Sequence, residues 1–191
     1  MNDQTILTYA ASTPKLETSR LVLSRITLSD ARDMYEYAKS EEVTRYLLWS
    51  PHPSLHHTKR YIKLLQTKYE SAEFFDWGVH RKTDGKFIGT CGFAAIDPAE
   101  LTGEIGYVFS PLVKGQGYAT EAARAVLQFG FMILGLTRIT ARFMLGNDAS
   151  EAVMRRLGMR ATGFLPQEFY IKGEYRSVLE YELTKDEFLA D

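Results

Sequence analysis

The stretch Phe109-Ser110-Pro111-Leu112-Val113-Lys114-Gly115-Gln116-Gly117-Tyr118-Ala119-Thr120-Glu121 decides how the chain is read. An alternating run ends at Phe109, two glycines turn the backbone, and a helical pattern opens behind them. N–H groups at the start of a helix lack an intrahelical partner and carry partial positive charge. Glycine lets such a backbone approach an anion closely. The segment reads in two ways: a pyrophosphate cradle, or a tight strand-to-helix turn that needs glycine for its dihedrals. Two common owners of a phosphate cradle do not fit. No G-x-x-x-x-G-K-[ST] string occurs. A dinucleotide fold needs G-x-G-x-x-G, but Thr120 stands where the third glycine belongs. No acid ends the next expected strand, 137–144, to hold a ribose.

Upstream of the loop the period is two. Residues 74–81 alternate with Trp77, Val79 and Arg81 on one face. Thr83-Asp84-Gly85 is a hairpin signal, 86–95 reads as the partner strand and 104–109 as a third. Downstream, 119–134 is the strongest helix, with Ala119, Ala122, Ala123, Val126, Gly130, Ile133 and Leu134 as its expected buried stripe. A β-branched strand at 137–144 follows. Next come a short helix capped by Asn147 or Asp148 and ended at Gly158, then strands at about 160–165 and 175–184. Nearer the start, 21–25 alternates as a strand and Thr27-Leu28-Ser29-Asp30 opens a helix with Ser29 as cap. After Trp49-Ser50-Pro51-His52-Pro53 a helix at 55–69 presents Tyr61, Leu64, Leu65 and Tyr69. Residues 1–15 read as a loose lead-in and 16–191 as a single domain. The order predicts an α/β (α+β) fold: one mixed, mostly antiparallel sheet with helices on both faces.

The chain has 191 residues, 45% hydrophobic and 25% charged, with a net charge of −1. That is globular composition without the basic footprint of a nucleic-acid binder. No run approaches the roughly 20 apolar residues of a membrane span, and the first residues are no secretory signal. Cys91 is the single cysteine, which excludes an internal disulfide and a cysteine zinc cluster and is the pattern of a reducing, cytoplasmic compartment. His56 and His57 diverge by about 100° on a helix and do not share a metal. The expectation is no metal, no nucleic acid and no membrane.

Lys114-Gly115-Gln116-Gly117-Tyr118-Ala119 resembles the [Q/R]-x-x-G-x-[G/A] motif of the GNAT superfamily of acetyltransferases, with Lys114 in place of the usual Gln or Arg. More specifically, the chain resembles the ribosomal-protein-alanine N-acetyltransferase group, the RimJ/RimL-like branch. The strings that carry this are Leu16-Glu17-Thr18-Ser19-Arg20-Leu21-Val22-Leu23, Gly103-Glu104-Ile105-Gly106-Tyr107, the glycine loop, Asn147-Asp148-Ala149-Ser150 and Arg156-Leu157-Gly158-Met159, in family order.

The resemblance implies acetyl-CoA bound where two parallel strands splay apart. Val108 and Phe109 would pair with the pantetheine arm, and a backbone N–H there would polarise the thioester carbonyl. Lys114, Gly115, Gln116, Gly117, Tyr118, Ala119 and Thr120 would hold the pyrophosphate, and Asn147 would touch the arm. Glu104 is the implied base, against the plainer reading of a solvated strand-start carboxylate. Ser150 is the implied acid or thiolate partner, against a role in the first turn of its helix. Tyr107 is a reserve candidate, on the strand face opposite Glu104. Trp49, Trp77 and Tyr170 are candidate acceptor contacts, and Ser177 replaces a frequent family aspartate. The activity implied is acetyl transfer to a primary amine by direct attack in a ternary complex, with a protein N-terminus as first acceptor class. Alternatives are a small-molecule amine (antibiotic, polyamine or amino acid) and a non-catalytic CoA-binding module. The chain would act as monomer or homodimer.

Overall fold

The structure is a computed structural model that describes residues 3–70 and 75–190. One sheet of eight strands runs in the order β1-β2-β3-β4-β5-β6-β8-β7. The strands are β1 (Leu16–Glu17), β2 (Leu21–Ser24), β3 (Phe75–Arg81), β4 (Phe87–Asp97), β5 (Thr102–Phe109), β6 (Arg138–Met144), β7 (Arg160–Ile171) and β8 (Glu174–Thr184). Only β5 and β6 are parallel. Residue 74, expected to start the third of these, lies outside the described residues. The helices are α1 (Asp3–Ser12), α2 (Ala31–Ala38), α3 (Glu41–Thr44), α4 (Leu55–Glu70), α5 (Tyr118–Gln128), α6 (Asp148–Arg156) and α7 (Lys185–Ala190).

Strand alternation sorts the core into two layers. Trp77, Val79, Cys91, Ile105 and Tyr107 pack with α5 on one face. On the other, Met34, Tyr37 and Ala38 of α2 and Ile62 and Leu65 of α4 pack against Phe87 and Val108. Asp84-Gly85 closes the β3–β4 turn, with Gly85 at φ +69°.

Several details depart from the sequence reading. The lead-in at 1–15 contains α1, whose Ile6 is fully buried in the core; a single inward residue leaves little periodic trace. Ser29 does not cap the helix. Thr27 is the N-cap of the turn that leads into α2, and Asp30 closes a capping box with it, its carboxylate accepting from the Thr27 N–H at 2.7 Å. On α4, Leu64 is 53% exposed while Ile62 is fully buried. The expected helix at 119–134 is α-helical only to Gln128, and Phe129–Leu134 forms a π-turn. The wider turn shifts the phase, so Phe131 points inward and Ile133 outward. The β7–β8 hairpin extends beyond its expected ends.

Trp77, a candidate acceptor contact, is a correction. It has no exposed surface, lies edge-on to Phe129 at 5.3 Å, and donates its indole N–H to the Pro14 carbonyl at 2.8 Å. Its place on β3 aims it at α5. Trp77→Ala should cost about 3–5 kcal/mol, a fall of roughly 6–20 °C in Tm. A thermal melt checks it; a fall under about 2 °C contradicts the core placement.

Candidate functional site

The glycine loop has the geometry of an anion cradle. Gly115 and Gly117 take φ +77° and +79°, a left-handed conformation that costs other residues about 1–2 kcal/mol. Gly117 is the N-cap of α5. The first intrahelical bond of α5 runs from Glu121 N–H to Gly117 O at 3.0 Å, so the N–H groups of residues 118–120 precede it and face outward along the axis. Tyr118 is 9% exposed, which leaves its backbone, not its ring, to the cradle. Lys114, Gly115, Gln116 and Gly117 are exposed.

An acid in the first turn of α5 would repel an anion, but Glu121 is turned away and occupied. Its carboxylate accepts from Thr18 Oγ1 at 2.5 Å, Ser19 Oγ at 3.1 Å, Arg20 N at 2.9 Å and Arg20 Nε at 2.6 Å. Arg20 also donates to the Gln116 carbonyl at 2.9 Å and lies 4.4 Å over the Tyr118 ring. One arginine thus joins the loop, the helix and the start of β2. Burial raises the Glu121 pKa, but the hydrogen bonds from Thr18, Arg20 and Ser19 outweigh it and hold the carboxyl below its ordinary value of 4.5.

Beside the loop, β5 and β6 part. Their pairs run from Thr102↔Arg138 to Ile105↔Ala141 and stop. Yet β5 continues to Phe109, still paired with β4, and β6 to Met144, still paired with β8. Across the gap, the Tyr107 hydroxyl donates to the Ser150 carbonyl in the first turn of α6 at 3.0 Å. Burial raises the Tyr107 hydroxyl well above its ordinary value, which keeps it a donor.

On the face of β5 toward α2 and α4 lies a cavity of about 380 Å³. Its wall includes Tyr37, Trp49, His52, Tyr61, Asp76, Thr90, Gly106 and Val108. His52 Nδ1 meets Thr58 Oγ1 at 2.9 Å, and burial, followed by the charge of His57, lowers the His52 pKa. Burial pushes Tyr61 up to about 12. Asp76 keeps partial exposure on the cavity wall, yet burial pushes its carboxyl up to about 7, against hydrogen bonds from Thr90 and the Trp77 N–H. Among the described residues, no group of three or more His, Cys, Asp or Glu side chains is placed to hold a metal ion, and no helix is long and apolar enough to cross a membrane.

A strand pair that splays beside a glycine-capped helix agrees with what comparison with known proteins finds. Residues 20–160 match the family model described as the acetyltransferase (GNAT) domain. The chain belongs to the GNAT acetyltransferase family. It is 33% identical to the N-acetyltransferase YoaA of Bacillus subtilis, over 90% of this chain and 97% of that one. It is 24% identical to the spermidine N(1)-acetyltransferase of Escherichia coli, over 85% of this chain and 84% of that one. RimL, a ribosomal L7/L12 α-N-protein acetyltransferase solved with coenzyme A, superposes with a TM-score of 0.79 at 20% identity, covering 90% of this chain and 98% of its own. Acetyl transfer with acetyl-CoA as cosubstrate is the chemistry of the family.

Within this GNAT chain the sequence-derived residues are placed as follows. Val108 and Phe109 lie on the parted half of β5, and Lys114 to Thr120 make up the glycine loop and the first turn of α5. Asn147 caps α6 by accepting from Ser150 N at 3.3 Å and donates to Ser150 Oγ at 3.1 Å; Ser150 is thus tied into the first turn. Glu104 shares a strand face with Gly106 and Val108, but it is ion-paired, its Oε2 lying 2.6 and 3.1 Å from Arg142 Nη2 and Nε. Tyr107 bridges to Ser150 from the opposite face. Trp49 joins the cavity wall, 5.2 Å from His52. Tyr170 is 65% exposed on β7 and packs on Tyr175 at 5.0 Å; it is not among the residues lining the cavity.

Sequence reading missed Asp76, Thr90, Tyr37 and Tyr61. The signal for Asp76 was present: a lone carboxylate between Phe75 and Trp77 in a strand whose neighbours are core.

Glu121→Gln should cost about 1.5–3 kcal/mol at pH 7, roughly 3–12 °C in Tm. Because the folded pKa lies below the unfolded value, this stabilisation is present above pH 4.5 and is lost as pH falls through the lower folded value. Paired melts at pH 7 and pH 3 should show the gap closing; a gap independent of pH contradicts the ionised clamp.

Proposed function

We propose that this chain moves an acetyl group from acetyl-CoA to a primary amine by direct attack in a ternary complex. One observation carries the reading: two parallel strands end their pairing at Ile105↔Ala141 and run on apart, each still bonded on its outer side. The inner edge of β5 there presents backbone groups that need partners. An extended pantetheine arm fits them as an added strand along residues 107–109. The pyrophosphate fits the N–H groups at residues 115–120, with Lys114 supplying charge. A backbone N–H of β5 beside the thioester carbonyl would stabilise the charge that develops on its oxygen.

The acceptor enters from the opposite side, through the cavity under α2 and α4. A volume of about 380 Å³ with aromatic walls and interspersed polar side chains, among them His52, Lys68, Asp76 and Thr90, suits a small molecule. A small aliphatic amine is therefore the acceptor class the geometry favours, and it is the class named for the Escherichia coli relative. A protein N-terminus, the first class implied by the sequence resemblance, is favoured by a different feature: Leu48, 64% exposed, beside the half-buried Trp49, offers an apolar lip to a peptide.

Two measurements test this. Acetyl-CoA at 100 times its Kd should stabilise the chain by about 2.7 kcal/mol, roughly 5–11 °C in Tm, while NAD and ATP give no shift. Thiol release should then be at least tenfold faster, as kcat/KM, with 1,4-diaminobutane or spermidine than with an alanine-initiated hexapeptide. The reverse ratio selects the protein N-terminus. No shift with acetyl-CoA, or no turnover of any of the three amines, overturns the transferase reading.

A further inference from the structure

Asp76, Gly92 and Gly106 stand in register across three strands, Asp76↔Gly92 on β3–β4 and Gly92↔Gly106 on β4–β5. Two glycines in that row leave the sheet bare between the carboxylate and the parted strand. A Cβ on Gly92 would sit 2.7 Å from Asp76 Oδ1 and 2.3 Å from the Phe75 carbonyl oxygen. Above Gly106 the space is open, the nearest neighbour to an added Cβ being the Ala94 methyl at 4.0 Å. At about 4.8 Å per strand, Asp76 and Gly106 are about 10 Å apart at Cα, and the Asp76 side chain shortens that span toward the cavity. That span is wider than one nitrogen covers, so a proton crosses it through water held over the bare row of the sheet.

Two carboxylates share this face, and their partners differ. Glu104 is engaged by the Arg142 guanidinium, its Oε2 taking two hydrogen bonds from Nη2 and Nε. Asp76 meets neutral donors, the Trp77 N–H at 3.0 Å and the Thr90 hydroxyl. Around it stand the phenols Tyr37, Tyr61 and Tyr69 from α2 and α4, the Cys91 thiol from β4, and His52 and Lys68 on the cavity wall. Burial raises the phenols and the thiol, which are therefore neutral at pH 7, and lowers the His52 pKa.

We infer that Asp76, not Glu104, takes the proton from the acceptor amine through water in the cavity. The inference rests on the acetyltransferase reading. The ammonium gives one proton to the carboxylate and becomes a neutral amine. Its nitrogen forms the C–N bond to the acetyl carbon while the C–S bond breaks. The second nitrogen proton passes to the departing thiolate, giving CoA thiol, and Asp76 releases its own proton to solvent. A base whose pKa lies near the working pH is the effective kind, and burial puts Asp76 at about 7.

The test compares pH profiles of kcat/KM for wild type, Asp76→Asn and Thr90→Val, using whichever of 1,4-diaminobutane, spermidine or the hexapeptide turns over fastest. Wild type should rise with pH through an acidic limb near 7. Asp76→Asn should lose about 10²-fold at pH 7 and lose that limb, with acetyl-CoA affinity unchanged. Its Tm at pH 8 should not fall, since it removes a desolvated charge. Thr90→Val removes a hydrogen bond that lowers the Asp76 pKa, so its limb should move to higher pH. A merely structural role for either residue would leave the limb in place. Should Asp76→Asn fail to fold, the Thr90→Val limb decides alone. Wild-type kcat/KM in Asp76→Asn, or an unmoved limb in Thr90→Val, overturns the assignment while leaving the transferase reading intact. A wild type inert toward all three amines overturns both.

Discussion

Two strands that are zipped to their outer neighbours cannot also stay zipped to each other when the sheet bends between them. β5 follows β4 to Phe109↔Gly89, and β6 follows β8 to Met144↔Val178. Between them pairing lasts four residues. The register shift of β4 between Phe93 and Ala95 sits beside this point, and such bulges increase local twist. Beyond it, the inner edges carry backbone donors and acceptors that cost about 1–3 kcal/mol each if buried unmade. The fold therefore leaves a slot that, under the proposed function, an extended, hydrogen-bonding ligand arm would complete. Tyr107 spans it to α6, and Asn147 fixes the first turn of α6 on the far side.

Charge is placed to serve the same slot. The one acid in the first turn of α5 is neutralised by Arg20 and its neighbours, so the cradle stays attractive to an anion. On the face toward α2 and α4, Glu104 is ion-paired with Arg142, whereas Asp76 accepts from neutral donors in a cavity with aromatic walls. The two carboxylates are alike in sequence and unlike in chemistry because of their neighbours.

That contrast marks where the sequence is legible. The glycine loop, the meander before it and the order of strands could be read because turn chemistry and period are local. The strand end at Val108 and Phe109, the turn from Lys114 and the start of the helix at Tyr118 came with them as elements, since they lie on one continuous segment. Trp77 misled because an aromatic strand residue looks the same whether its face meets a core or a ligand; which face is which depends on helices distant in sequence. Asp76 was missed for the same reason, as its meaning comes from Gly92 and Gly106 on two other strands. Helix α1 was invisible because one buried residue, Ile6, makes no period, and the π-turn at Phe129 shifted a stripe that a uniform helix would have kept.

The most direct measurement is a crystal structure with coenzyme A. The account predicts the pantetheine arm hydrogen-bonded along residues 107–109 between β5 and β6, with the pyrophosphate on the N–H groups of residues 115–120. Coenzyme A bound elsewhere, or β5 and β6 paired through Phe109 and Met144 with the slot closed, would contradict it.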